Sequence, residues 1–150
     1  MGNDEATLRQ LIESLTEGIR TKDADRATAP YAERNVMYVL EPPLESRTEG
    51  GVSAEGAGRA GVQAWFDTWA GDLAYDRRGT EIVCDGEIAF AHGLVHLAGT
   101  KSNGAKTDLW FRETFGFRRL GGEWKIVHQH QSVPFQMDGS GRAALDLKPE

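Results

Sequence analysis

The sequence predicts an α+β domain in which helices come first and an antiparallel sheet follows. Apolar residues recur at helical spacing in two segments before residue 70. Beyond residue 79 the period changes to two, and glycine-containing turns separate the apolar runs. Two of these turns, Asn103–Gly104 and Gly121–Gly122, are typical of tight hairpins, because type I′ turns require positive φ at both central residues. Helices gathered on one side of such a sheet give the α+β class.

Three helices are predicted in the first half of the chain. The first has an apolar face made of Leu8, Leu11, Ile12, Leu15 and Ile19. A short second helix begins at Asp23 or Asp25 and ends near Pro30. The third follows an i, i+3, i+4, i+7 pattern and can end at Gly71; its apolar residues are Val62, Trp65, Phe66 and Trp69.

One strand is predicted between the helices and four after them. The first is "NVMYVLEPP", closed by two prolines that cannot donate to a ladder. The glycine-rich residues 44–59 are expected to form a mobile loop. The later strands are "TEIVCD", "EIAFAHGLVHLAGT", "KTDLWFRETFGFRRL" and "EWKIVHQHQSVPF". We expect one domain over residues 1–150, with irregular termini at 1–4 and 138–150.

Composition argues against several classes of partner. The formal net charge of −6 disfavours nucleic acid and anionic membrane surfaces, which require a basic patch. No apolar run approaches the roughly 18 residues of a membrane span. The polar start "MGNDEATLRQ" lacks the pattern of a signal peptide. The single Cys84 fits a reducing compartment, so a cytoplasmic protein without nucleic-acid or membrane partners is expected.

Three motifs resemble a known superfamily. "EPPL" after the first strand, "VQAWFDTWAG" in the third helix and "GGEWKIVHQHQS" at the end resemble NTF2-like proteins, specifically the SnoaL-like, ketosteroid isomerase-related branch. The likeness spans about Ala6 to Phe135, and the last motif is also similar to the association domain of calcium/calmodulin-dependent protein kinase II. It implies an NTF2-like (cystatin-like) cone, with three N-terminal helices packed on a curved, mainly antiparallel sheet. Members include isomerases, cyclases and dehydratases, and also binding or assembly modules.

The resemblance also implies which side chains enter the cone. Carrying over the family's register sends inward Phe90, His92, Leu94, Trp110, Arg112, Thr114, Val127, Gln129 and Gln131, with His96 nearer the rim. The opposite face would carry Trp124, Ile126, His128 and His130. Because this face commonly forms dimers in the superfamily, a homodimer through His128 and His130 is expected. A slip of one residue would invert the whole assignment.

Three ionisable residues are the catalytic candidates. Glu41 precedes Pro42, where isomerase-like members carry a catalytic acid, so it is either a general base or an exposed loop carboxylate. His92 could transfer a proton near neutral pH, or it is a hydrogen-bonded core histidine. Arg112 would anchor an anionic or carbonyl group, or it forms a structural ion pair.

The remaining site candidates would contact the substrate. Tyr38, Trp65 and Trp69 could stack on a flat ligand, although aromatic residues at this spacing are also ordinary core. Gln129 and Gln131 would hydrogen-bond a polar group or water. The rest of the predicted wall is Phe90, Leu94, Trp110 and Thr114.

No metal or cofactor is predicted. His128 and His130 share one strand face, but no nearby cysteine or carboxylate completes a ligand set. The family's oxyanion donors are also missing, because Leu15 and Thr114 occupy the matching positions, so steroid isomerisation is not expected. The predicted function is a small-molecule enzyme of the SnoaL-like type, which isomerises, cyclises, dehydrates or hydrates a compact, partly apolar substrate by cofactor-independent proton transfer. The alternative is a non-catalytic ligand-binding or dimeric assembly module.

Overall fold

A computed structural model describes residues 2–48 and 58–150 and confirms the predicted α+β class. Within these residues the elements are α1 (Gly2–Arg20), α2 (Ala24–Thr28), β1 (Tyr31–Tyr38), β2 (Ser46–Thr48), α3 (Arg59–Asp67), β3 (Trp69–Asp85), β4 (Ile88–Lys101), β5 (Lys106–Leu120) and β6 (Glu123–Ser132). No helix in the described ranges is long and apolar enough to cross a bilayer.

The strands form one sheet in the order β2-β1-β6-β5-β4-β3. Neighbouring strands run antiparallel except β1 and β6, which are parallel, so the sheet is mixed but mostly antiparallel. The predicted turn at Gly121–Gly122 has φ of 57° and 85°, as a tight hairpin requires. This topology places the first long strand directly beside the last one.

Several element bounds differ from the sequence prediction. Trp69 begins β3 instead of ending α3, because Thr68 closes the helix by donating its hydroxyl to the Trp65 carbonyl at 2.6 Å. Residues 46–48 of the predicted loop form β2, and residues 49–57 of that loop lie outside the described residues. The first helix already begins at Gly2, within the terminus expected to be irregular.

Two apolar clusters fill the side of the sheet that the helices cover. The first packs α1 against the sheet and contains Leu8, Ile12, Leu15, Ala89, Ala91, Phe115, Phe117, Trp124 and Ile126. The second packs α2 and α3 and contains Ala24, Ala27, Phe66, Trp69, Leu73, Tyr75, Val95, Leu97 and Phe111. We call this side of the sheet the inner face and the opposite side the outer face.

The predicted register of β4 and β5 is wrong by one residue. The inner face carries odd-numbered residues such as Ala91 and Val95 on β4 and Phe111 and Phe115 on β5. The even-numbered residues that were expected inside, Phe90, His92, Leu94, Trp110, Arg112 and Thr114, therefore lie on the outer face. The physical reason is the strict alternation of a strand, since the three phenylalanines of β5 share the buried side and the even-numbered residues must then face the other way.

A bulge in β6 divides that strand into two registers. Ile126 pairs with Phe117 and His128 pairs with Gly116, which leaves Val127 without a counterpart. Trp124 and Ile126 therefore belong to the inner face, contrary to the prediction. Beyond the bulge, Gln129 turns inward, while His128 and His130 contact Tyr38 on the outer face.

Replacing Gly18 with alanine should destabilise the domain, although the same change usually stabilises a helix. A Cβ atom at Gly18 would lie 2.7 Å from the Ala27 backbone nitrogen, so α1 and α2 would have to separate. We expect Gly18→Ala to lower the free energy of unfolding by about 1–3 kcal/mol in urea titrations. Glu13→Ala, at an exposed position of the same helix, should change it little. An unchanged or more stable Gly18→Ala would contradict the close helix contact.

Candidate functional site

A cavity of about 390 Å³ lies between the inner face of the sheet and α3. We call it the central cavity. Its apolar wall consists mainly of Val62, Trp65, Trp69, Tyr75, Leu97 and Phe111. The two tryptophans meet edge to face with ring centroids 5.7 Å apart. A mostly aromatic wall of this size suits a compact, flat molecule.

A carboxylate and an amine both line this cavity. Glu41 lies in the segment after β1, and Lys101 is the last residue of β4. The Lys101 Nζ atom lies 3.8 Å from the Trp69 ring centroid and donates a hydrogen bond of 2.9 Å to the Thr68 hydroxyl. Burial lowers the pKa of Lys101, and the Glu41 charge opposes this shift.

Lys101 is therefore held by an aromatic face and a hydroxyl instead of by an acid. Among the described residues, no carboxylate oxygen lies within 4.0 Å of the Lys101 Nζ atom, the limit for an ion pair. A cation placed in this way retains donors for an anionic or carbonyl oxygen of a ligand.

Gln129 and Gln131 form a polar part of the cavity wall, and the carboxylate of Glu113, which does not line the cavity, holds both side chains in place. Glu113 is only 2% exposed and accepts hydrogen bonds from the side-chain amides of Gln129 at 2.7 Å and Gln131 at 2.6 Å. The Tyr31 hydroxyl donates to Gln129 Oε1 at 2.6 Å. Burial, and then the Glu113 charge, raise the pKa of Tyr31 well above its usual value, so this phenol stays neutral.

Arg77 compensates the buried charge of Glu113. Its guanidinium donates to Glu113 Oε1 and, through Nε, to the Thr16 hydroxyl at 2.6 Å. The same group lies over the Phe115 ring at 5.2 Å from the centroid. Burial lowers the pKa of Arg77, but the neighbouring groups, Glu113 first among them, together outweigh burial, and the pKa is raised. This ion pair joins β3 and β5, and the Thr16 contact adds α1.

Comparison with known families decides the identity of this fold. Residues 8–136 match the SnoaL-like domain. The chain is a member of the SnoaL-like domain family. The resemblance to NTF2-like proteins in the sequence is thereby confirmed. No curated protein matches the chain significantly.

Solved structures agree with this assignment. An NTF2-like protein of unknown function from Pseudomonas putida KT2440 is 28% identical, covers 99% of each chain and superposes with a TM-score of 0.85. A candidate ketosteroid isomerase from Shewanella frigidimarina is 18% identical over 82% of this chain and 92% of its own, with a TM-score of 0.64. A candidate dehydratase of the NTF2-like family from Streptomyces avermitilis is 12% identical over 87% and 96%, with a TM-score of 0.71. The last two likenesses show the fold alone.

The SnoaL-like fold brings together only part of the predicted site. The predicted residues that line the central cavity are Glu41, Trp65, Trp69, Gln129 and Gln131. The predicted residues that do not line it are Tyr38, Phe90, His92, Leu94, Trp110, Arg112 and Thr114. The structure thus places His92 and Arg112 on the outer face, outside the cavity that Glu41 lines.

The outer face gathers all four histidines of the chain on two strands. His92 Nε2 lies 3.6 Å from a carboxylate oxygen of Glu81, and His96 bonds Asp108 at 2.7 Å while stacking on Trp110. Arg112 Nε donates to the Ser132 hydroxyl at 3.1 Å. Among the described residues, no group of three or more His, Cys, Asp and Glu side chains could hold a metal ion.

Sequence reasoning missed four residues of the site, namely Tyr31, Arg77, Lys101 and Glu113. A signal for Glu113 was present, because it shares parity with Phe111, Phe115 and Phe117 on β5. A charged residue in phase with three aromatic residues indicates a buried, compensated charge. No comparable signal marked Lys101, whose place at the cavity depends on the packing of α3 against β3 and β4.

Removing Arg77 alone should cost more stability than removing the whole ion pair. Arg77→Met leaves the Glu113 carboxylate buried without a countercharge, and we expect a loss of about 3–5 kcal/mol in the free energy of unfolding. The double variant Arg77→Met/Glu113→Gln should recover much of this loss, because no buried charge remains. Urea titrations of the two variants and the wild type measure both quantities. A double variant less stable than Arg77→Met would contradict the charge argument.

Proposed function

We propose that this SnoaL-like domain is a small-molecule enzyme that transfers protons without a cofactor on a compact, partly apolar substrate. The observation that carries the proposal is the presence of one acid, Glu41 on an exposed segment, and one amine, Lys101, in the lining of the same aromatic cavity. Among the described residues that line the central cavity, Glu41 is the only acid and Lys101 the only cation. The catalytic groups are thus Glu41 and Lys101, and the anchoring role expected of Arg112 passes to Lys101.

The two groups suit proton abstraction next to a carbonyl. The carboxylate of Glu41 takes the proton from the carbon atom. The electron pair of the broken C–H bond forms a C=C bond to the carbonyl carbon, and the π pair of the C=O bond moves to the oxygen. The resulting enolate oxygen is stabilised by the Lys101 ammonium, which is held against Trp69 before the substrate arrives. Isomerisation, cyclisation and dehydration can each begin with this step.

The names of similar structures support this class of reaction. One of them is a candidate ketosteroid isomerase and another a candidate dehydratase, and both reactions involve proton transfer. Their sequence identity is low, so the support is for the class of chemistry and not for a substrate. Leu15 is buried in the core, and Thr114 lies on the outer face, so neither offers an oxyanion donor to the cavity. The proposal therefore does not extend to steroid isomerisation.

Glu41→Gln should abolish carbon-proton exchange catalysed by the protein. A suitable probe is 2-tetralone, a flat bicyclic ketone whose α-hydrogens exchange with deuterium in D₂O and can be followed by proton NMR. We expect the catalysed rate to fall by roughly 100-fold or more, as is usual when a general base is lost. Lys101→Met should lower it by roughly 10- to 100-fold, because a hydrogen bond from a charged donor is lost.

The control for this experiment is Glu33→Gln, the same change at an exposed position of β1. The outer-face variants His92→Ala and Arg112→Ala test the register directly and should exchange 2-tetralone at the wild-type rate. A rate that survives Glu41→Gln but falls in Arg112→Ala would refute the central cavity as the site.

A second copy of this chain is our proposed partner for the outer face. Val83, Ile88 and Phe90 are exposed by 45–56% on the edge of this face, where adjacent strands bring them together. The same face carries both Arg112 and Glu81, so two copies related by a two-fold axis could pair opposite charges. This surface also suits the alternative function, a non-catalytic binding or dimeric assembly module. His128 and His130 would lie within the interface.

Phe90→Glu should convert a dimer into a monomer. The substitution places a carboxylate in the centre of the proposed apolar contact, where it would be desolvated without a partner. Size-exclusion chromatography with light scattering measures the mass across a concentration series. Met137→Glu, a change at an exposed apolar residue of the C-terminal segment, should leave the mass unchanged. A wild type that stays monomeric at high concentration would contradict the proposed interface.

A further inference from the structure

Two amide side chains that line the central cavity each have an oxygen atom without a hydrogen-bond partner among the described residues. Asn35 donates its side-chain nitrogen to the Ala32 carbonyl at 2.9 Å, and its Oδ1 atom is buried and unpaired. Gln131 donates its side-chain nitrogen to Glu113 Oε2, and no described residue donates to its Oε1 atom. Both residues line the cavity. In each amide the nitrogen donates to a protein oxygen, and the oxygen can still accept a hydrogen bond from a ligand or water.

Glu113 determines the orientation of the Gln131 amide. An ionised carboxylate only accepts hydrogen bonds, so Gln131 must turn its nitrogen toward Glu113 and its oxygen away. The reversed amide would place two oxygens in contact and leave one lone pair of a buried charge unsatisfied. The neighbouring Gln129 has the same orientation, but its oxygen already accepts the Tyr31 hydroxyl. On β6, therefore, the free acceptor belongs to Gln131.

We infer that the central cavity selects ligands that donate a hydrogen bond to the Gln131 carbonyl oxygen, such as a hydroxyl or phenol on a flat apolar skeleton. Glu113 acts as the positioning residue, since it fixes the amide without lining the cavity itself. An ether or carbonyl oxygen at the same place cannot donate to the Gln131 oxygen. The ligand oxygen and the Gln131 oxygen would then each lose a hydrogen bond from water without a replacement. The inference rests on the proposed function in that it requires the cavity to bind a small molecule.

Lys101 and Gln131 together define a substrate class. Lys101 offers donors to an anionic or carbonyl oxygen, whereas Gln131 offers an acceptor to a hydroxyl group. A compact compound that carries both a carbonyl and a hydroxyl group can satisfy both residues, and its aromatic or alicyclic skeleton would contact Trp65 and Trp69. The geometry therefore points to hydroxylated carbonyl compounds as substrates of the proposed proton transfer.

Titration calorimetry with three matched probes tests the selection. The probes are 2-naphthol, which donates a hydrogen bond, 2-methoxynaphthalene, which only accepts one, and 2-methylnaphthalene, which does neither. For the wild type we expect 2-naphthol to bind roughly 10-fold more tightly than 2-methoxynaphthalene. In Gln131→Met this ratio should fall by roughly 10-fold, with 2-methylnaphthalene still bound. Comparing one ratio between two proteins cancels the differences in size and hydrophobicity between the probes.

Two further variants separate a positioning role from a structural one. In Arg77→Met/Glu113→Gln the Gln131 amide is retained but can turn either way, so the ratio should also fall although Gln131 is unchanged. A purely structural role of Glu113 would weaken the binding of all three probes alike and leave the ratio intact. Gln136→Met, the same chemical change at an exposed position, should keep the wild-type ratio.

The outcomes distinguish this inference from the proposed function. If 2-methylnaphthalene binds but the wild type shows no preference for 2-naphthol, the inference is overturned and the cavity remains a binding site. The same holds if the preference survives in Gln131→Met. If none of the three probes binds, the proposed small-molecule site fails and the inference fails with it.

Discussion

The buried charge of Glu113 organises the inner side of the sheet. Its carboxylate is bound by Arg77 from β3 and by Gln129 and Gln131 from β6, while Arg77 reaches α1 through Thr16. A carboxylate that is 2% exposed can remain ionised only if it is compensated in this way. One charge thus holds together elements from the first helix to the last strand, and it does so next to the cavity.

The position of this charge along β5 explains why the domain has a cavity with mixed walls. Phe111 on one side of Glu113 belongs to the cluster around α2 and α3, and Phe115 on the other side belongs to the cluster under α1. The polar network therefore lies between the closed part of the core and the part that opens into the central cavity. Its hydrogen-bonded glutamines line the same cavity as the tryptophans, so the cavity can discriminate among ligands by hydrogen bonding as well as by shape.

The fold was predictable from sequence to a greater extent than the site. Helical periodicity predicted α1 and α3, a capping aspartate and Pro30 predicted α2, and glycine-containing turns predicted the hairpins, because each of these signals is local. Predicting the site required knowing whether the odd- or the even-numbered residues of β4 and β5 face inward, and a slip of one residue exchanges the two faces. The regular series Phe111, Phe115 and Phe117 indicated the buried parity, whereas the family register placed Arg112 inside. The bulge at Val127 left no trace in the sequence, because Ile126 and His128 share parity and yet face opposite sides.

The sequence by itself determined the family and the α+β class, and it indicated several residues that line the cavity, among them Glu41, Trp65 and Gln129. These features depend on motifs and on short-range periodicity, which can be recognised in the sequence without knowledge of the three-dimensional structure. Only the tertiary structure decided that Lys101 lines the same cavity as Glu41 and that Glu113 pairs with Arg77. Both juxtapositions join residues far apart in the chain through strand pairing and helix packing. Their geometry depends on register, on a bulge and on compensation of a buried charge, and none of these is a local property of the sequence.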